Sequence, residues 1–162
     1  MKQLILFRHA KSESHDARKT DHERSITPRG EHDAKTVAEQ LSARAMVPDL
    51  ILSSDSMRAR QTAQAACDQW TADPEITYLP RLYSAGVREI VEAVAVHGGT
   101  AKCVMVIGHN PTMEELASLT AGRHIRLKTS AAAILNAGVT TWADLRHHSL
   151  LQFEDVIDRP QS

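Results

Sequence analysis

Gln3-Leu4-Ile5-Leu6-Phe7-Arg8-His9-Ala10-Lys11-Ser12 is the stretch around which the chain is organised. Four apolar residues run straight into Arg-His and then into small and polar side chains. A buried strand reads this way when its C-terminal end delivers charged groups into a crevice, which is where open α/β sheets place their ligands. Arg8 offers a planar fork for an anion, and His9 offers a ring nitrogen able to act as base or nucleophile near neutral pH.

Two further runs end alike. Asp49-Leu50-Ile51-Leu52-Ser53-Ser54 leads through a short turn to Arg58, and Lys102-Cys103-Val104-Met105-Val106-Ile107 ends in Gly108-His109-Asn110-Pro111. Glu75 to Leu79 is a weaker strand, and Ala131–Asn136 and Ser149–Phe153 are two more, with a helical turn near Trp142–Leu145. Helical spacing separates them. Thr27-Pro28 reads as a cap and first helical residue, followed by Ala34, Val37, Ala38, Leu41 and Ala45 on one face, with a stop before Pro48. Ala59, Ala63, Ala66 and Trp70 share a second face. Val87, Ile90, Val91 and Val94 mark a third helix closed by Gly98-Gly99. Asn110 and Pro111 open a fourth with Met113, Leu116 and Ala117 inward. Alternating strands and helices predict an α/β, three-layer α/β/α domain, its central sheet mostly parallel with helices on both faces. One of the last two strands is open to running the other way, at the edge. Residues 11–26 show no period and read as a long functional loop.

A chain of 162 residues suits one domain, here residues 1–157 with 158–162 as a C-terminal tail. The formal net charge of -1 argues against a nucleic-acid or membrane-surface binder. The two cysteines, Cys67 and Cys103, stand far apart and read as reduced thiols; no apolar run approaches membrane length, and a cytoplasmic protein is expected.

In a doubly wound sheet the three strand ends share one edge, so Arg8, His9, Arg58 and His109 converge. The helices starting near Ser56 and at Asn110 aim their N-termini at the same crevice. Two arginines and two helix N-termini describe a phosphate pocket. A metal site would need carboxylate or cysteine ligands beside the histidines, so neither metal nor cofactor is expected.

These residues carry a family resemblance. Arg8-His9-Ala10-Lys11-Ser12 resembles the R-H-G signature of the histidine phosphatase, or phosphoglycerate-mutase-like, superfamily. Ser53-Ser54-Asp55-Ser56-Met57-Arg58-Ala59-Arg60-Gln61-Thr62-Ala63 resembles its S-S-x-x-x-R-A-x-Q-T-A motif, and Gly108-His109-Asn110-Pro111 its third. Asp21-His22-Glu23-Arg24-Ser25-Ile26-Thr27-Pro28-Arg29-Gly30 resembles the D-x-x-R-x-L-T-x-x-G segment of the SixA-type phosphohistidine phosphatases. Four motifs in order are a far stronger signal than any one of them.

The resemblance implies a phosphoglycerate-mutase-like fold and a hydrolase acting on phosphate. It makes His9 the nucleophile that forms a phosphohistidine intermediate, with Arg8, Arg58 and His109 as catalytic partners holding the phosphoryl oxygens. Lys11, Ser12, His15 and Asn110 are candidate substrate-binding residues.

Two departures matter. Ala10 replaces the motif glycine, which is harmless only where the backbone does not need positive φ. Both usual acid positions are also without a carboxylate: Leu79-Pro80-Arg81-Leu82-Tyr83-Ser84 stands where relatives have L-x-E, and Asn110 follows the second histidine. Asp55 and Glu89 are the nearest substitutes. A phosphohistidine substrate needs that acid least, because imidazole leaves far more readily than an alkoxide. The expected partner is therefore a phosphorylated protein, with inorganic phosphate as product. A small phosphate ester is the alternative substrate, and a non-catalytic phosphate-binding module is the third reading.

Overall fold

The computed structural model describes residues 1–160. Six strands form one sheet: β1 (Lys2–Arg8), β2 (Leu50–Ser53), β3 (Glu75–Tyr78), β4 (Cys103–Gly108), β5 (Ala132–Ala137) and β6 (Leu151–Ile157), in the spatial order β3-β2-β4-β1-β5-β6. β1 lies parallel to β4, and β2 lies parallel to both β4 and β3. Four helices cover it: α1 (Pro28–Ala43), α2 (Met57–Cys67), α3 (Val87–His97) and α4 (Thr112–Ala121).

Alternation along each strand decides which face a residue serves. Ile5, Phe7, Ile51, Met105 and Ile107 pack with α1 and α2, whereas Leu4, Leu6, Leu52, Val104 and Val106 pack with α3 and α4. Both faces are buried, so the central strands are apolar without a break. With few aromatic residues, the layers close on alanine: Ala34, Ala38, Ala59, Ala63 and Ala66 bring α1 and α2 against the sheet with no exposed surface.

The reversed strand is not at the edge. β5 pairs antiparallel with β1, and β6 pairs antiparallel with β5, so the interior β5 is the one that runs against β1. The cause is the segment after α4, in which Ile125 and Leu127 are buried. It carries the chain back to the C-terminal edge of the sheet, so β5 must descend from there. α2 also ends sooner than its apolar face suggests, at Cys67. Trp70 lies beyond it, packs under α1, and donates its indole N–H to the Ala38 carbonyl at 2.9 Å.

The long loop 11–26 is pinned at both ends. Ser12 pairs with Ile26 in an isolated bridge, and the Thr27 N–H donates to the Lys11 carbonyl at 2.8 Å. The Thr27 hydroxyl caps α1 by accepting from the Gly30 N–H at 2.9 Å. Gly30 is required by close approach, since a Cβ there would stand 2.4 Å from the Lys11 carbonyl oxygen. Among the described residues no helix is long and apolar enough to cross a membrane. Of the predicted tail, Arg159 and Pro160 are half-buried, and Gln161 and Ser162 lie outside the described residues.

Candidate active site

The C-terminal ends of β1, β2 and β4 meet at one edge, and the four predicted catalytic side chains gather there, His9, Arg58 and His109 together and Arg8 on the β5 side. His9 is buried and its ring centroid lies 5.0 Å from that of His109. His9 Nδ1 stands 2.7 Å from the Ala10 carbonyl oxygen. A carbonyl only accepts, so Nδ1 carries the proton and Nε2 keeps its lone pair. Burial, then His109, Arg58 and Arg8, push the His9 pKa down to about 3, against the upward pull of the Ala10 carbonyl. The ring is therefore neutral at pH 7, with a lone pair on Nε2.

The backbone under His9 is held from three sides. Its N–H donates to the Gly108 carbonyl at 3.1 Å. The next N–H, that of Ala10, donates to the Thr62 hydroxyl of α2 at 2.9 Å. The Ser130 N–H reaches the carbonyls of both Arg8 and His9 at 3.2 Å. Among the described residues Ala45 and Ser130 are the non-glycine positions with positive φ, so Ala10 occupies backbone open to any L-residue, and the missing motif glycine costs nothing there.

Arg58 sits in the first turn of α2, capped by Ser56. It is 5% exposed, and its guanidinium donates to the Asp21 carbonyl at 2.7 Å and to the Asp21 carboxylate at 3.0 Å. His109 Nε2 lies 2.9 Å from the Ser54 hydroxyl, and burial followed by Arg58 lowers its pKa to about 4. Arg8 closes the β5 side, where it donates to the Leu127 carbonyl at 3.0 Å. Arg8 Nε, Arg58 Nε, His109 Nδ1 and Ser130 Oγ are buried with no protein partner. Four such atoms around one pocket suit a polar, anionic ligand better than a sealed core.

The other predicted contacts are placed differently. The Asn110 amide donates to Glu114 and to the same Leu127 carbonyl, both at 3.0 Å, and its oxygen accepts from the Glu114 N–H at 3.2 Å. It therefore caps α4 and braces Arg8. The helix starts one residue later than predicted, with Pro111 at the cap position. Lys11 and His15 are exposed, Ser12 is half-buried in the loop bridge, and no hydrogen bond ties these three side chains to the four central residues. Glu89 is exposed in the first turn of α3.

A second wall escaped the sequence reading. Asp21, in a short 3-10 turn of the loop, receives Arg58, Arg24 at 2.9 Å and the Tyr83 hydroxyl. The Tyr83 bond first, then Arg58, hold its carboxyl well below the usual carboxylate range, while Asp21 pushes the Tyr83 hydroxyl up. The Tyr83 ring meets His109 edge-on at 5.5 Å and His22 at 5.1 Å. His22 Nε2 in turn lies 3.0 Å from the Asp55 carboxylate. Tyr83 lies in the very Leu79–Ser84 stretch where an acid was sought. A phenol in that place carries no signal until the loop is seen above it.

The sequence profile of the histidine phosphatase superfamily, branch 1, matches residues 4–89. An uncharacterized chloroplastic protein of Arabidopsis thaliana is 36% identical over 153 residues, covering 88% of this chain and 70% of its own. A candidate phosphohistidine phosphatase SixA from Agrobacterium tumefaciens superposes with a TM-score of 0.80 at 27% identity, covering 96% of this chain and 97% of its own. The protein histidine phosphatase SixA in complex with tungstate gives a TM-score of 0.77 at 22% identity, covering 96% of each chain.

Proposed function

The chain belongs to the histidine phosphatase superfamily, with its phosphoglycerate-mutase-like α/β fold, and on that premise we propose that it is a metal-independent protein phosphohistidine phosphatase. His9 Nε2 attacks phosphorus while the guanidiniums of Arg8 and Arg58 meet the charge that develops on the equatorial oxygens. His109 joins them when Ser54 donates to its Nε2, which leaves Nδ1–H as a donor. The P–N electron pair of the substrate returns to the leaving imidazole, which keeps its proton on the other nitrogen and departs neutral. No protein acid is needed for that step.

The observation that carries this substrate choice is the state of the carboxylates. Asp21 is ionised and saturated by two arginines and a tyrosine. Asp55 is bonded to His22, and Glu114 accepts from the Asn110 amide and the Leu127 N–H. A carboxyl group held to donate a proton needs an apolar setting, and each of these three is instead engaged by hydrogen-bond donors. An alkyl phosphate, whose leaving group requires that proton, fits poorly. The donor set of arginines and histidines supports a metal-free reaction, and the wide separation of the two free thiols supports a reducing, cytoplasmic setting.

Labelled phosphoryl donor and rapid quenching test the mechanism. An acid-labile phosphoenzyme should form on the native protein and be absent from His9→Ala. Equal labelling or unchanged turnover in that variant overturns the assignment.

A further inference from the structure

The nucleophile and its arginines account for loading of His9. They do not account for the water that must unload it. That water needs a base on the mouth side of the pocket, opposite His9. Of the side chains linked to His9 through His109 and Tyr83, most are committed. His109 is pushed down to about pKa 4 and faces Ser54. Asp21 is held by Arg58, Arg24 and Tyr83, and Tyr83 donates its proton to Asp21. Arg58 is cationic and accepts no proton.

His22 differs from all of these. It is the residue after Asp21, so the chain that anchors Arg58 also fixes its backbone. Its ring stands edge-on to Tyr83 at 5.1 Å, and Tyr83 stands edge-on to His109 at 5.5 Å, so the three rings line one continuous wall. Its Nε2 is 3.0 Å from the Asp55 carboxylate, a group that only accepts when ionised. The neutral ring therefore keeps its proton on Nε2 and presents the lone pair of Nδ1, which has no protein partner. The side chain is 42% exposed, so a proton taken there can pass to solvent. A base oriented by a third group is the arrangement used to activate a nucleophile.

We propose that His22 is the general base for hydrolysis of the His9 phosphoenzyme and that Asp55 is its positioning residue. This rests on the phosphoenzyme mechanism above and adds the second half of it. A water oxygen forms the new P–O bond as the P–Nε2 bond of phospho-His9 breaks and its electron pair returns to Nε2. The water proton goes to His22 Nδ1, inorganic phosphate leaves, and His22 returns the proton to solvent. The proton on His9 Nδ1 stays on its bond to Ala10 throughout. In its neutral form His22 holds its own proton toward Asp55, so it turns a lone pair and no proton toward the reacting water.

The test separates the two half-reactions. Phosphoramidate, a small N–P donor, loads His9 without any protein partner, and quench-flow follows phosphoenzyme formation and decay in the native protein, His22→Asn and Asp55→Asn. His22→Asn should load at the native rate and unload on the order of 100-fold more slowly, so phosphoenzyme accumulates in the steady state. Asp55→Asn should give the same pattern with a smaller slowing. Loading and unloading that slow together mean that His22 only supports the loop, and this overturns the proposal. Native decay in His22→Asn overturns it as well, while leaving the His9 mechanism standing. No phosphoenzyme on the native protein overturns both readings.

Discussion

The pocket floor and the wall above it are built by different means. On the floor, His9, Arg58 and His109 are carried by β1, by the cap of α2 and by the end of β4, and are locked by hydrogen bonds that span 50 residues or more, from Ala10 to Thr62 and from Ser54 to His109. On the wall, Asp21 and His22 come from a three-residue turn in a polar loop. Ion pairs and ring edges hold it, among side chains that are partly open to water. Burial sets the chemistry of the floor by pushing both histidines to their neutral forms. Direct contact sets that of the wall by keeping Asp21 charged. A rigid floor suits attack on phosphorus, and a wetter wall suits entry of a substrate side chain and of water.

The largest expected effect lies on the floor. Arg58→Ala and Arg8→Ala each remove charge-assisted bonds worth roughly 1.5–3 kcal/mol, so kcat/KM should fall about 10- to 150-fold. Arg58→Ala should be the more damaging because it also frees Asp21, Tyr83 and the loop turn. A loss below about threefold for Arg58→Ala means that the floor does not hold the phosphoryl group.

A smaller effect divides the two regions by pH. His109 has a folded pKa of about 4 against an ordinary 6.5, so the unfolded chain binds its proton first and stability falls as pH drops from about 6.5 toward 4. Asp21 has the same sense in a lower window: its pKa is depressed from 3.8, so its contribution holds above that value and is lost only as pH falls below it. Thermal melts at pH 7 and pH 5 should show a drop in stability that is smaller in His109→Gln by on the order of 1 kcal/mol. Asp21→Asn should leave that drop unchanged. Parallel slopes for His109→Gln and the native protein contradict the buried-histidine account.

The same division governs what was legible in the sequence. Strand ends, helix caps and the four central residues follow from local patterns: apolar runs that stop at Arg-His, Ser-Ser and Gly-His, and a serine two residues before Arg58. Ala10 was legible as a departure but not as a harmless one, since its φ depends on Thr62 and Ser130. Asn110 has the look of a phosphate ligand beside its histidine. Only the return of residues 122–131, which brings Leu127 alongside, turns its amide toward Glu114 and the Leu127 carbonyl. The reversal of β5 has the same origin. Asp21 and His22 come from an aperiodic loop, Asp55 from the turn after β2 and Tyr83 from the turn after β3, and no spacing rule relates the three segments.

Central to this account is that the pocket transfers phosphoryl groups from nitrogen and lacks the acid needed to release an alkoxide. The most direct measurement is kcat/KM on a phosphohistidine-bearing protein against kcat/KM on alkyl phosphate monoesters, with one enzyme preparation and His9→Ala as blank. The account predicts rapid hydrolysis of the phosphohistidine and slow hydrolysis of the monoesters. Monoester turnover equal to or faster than that of the phosphohistidine contradicts it.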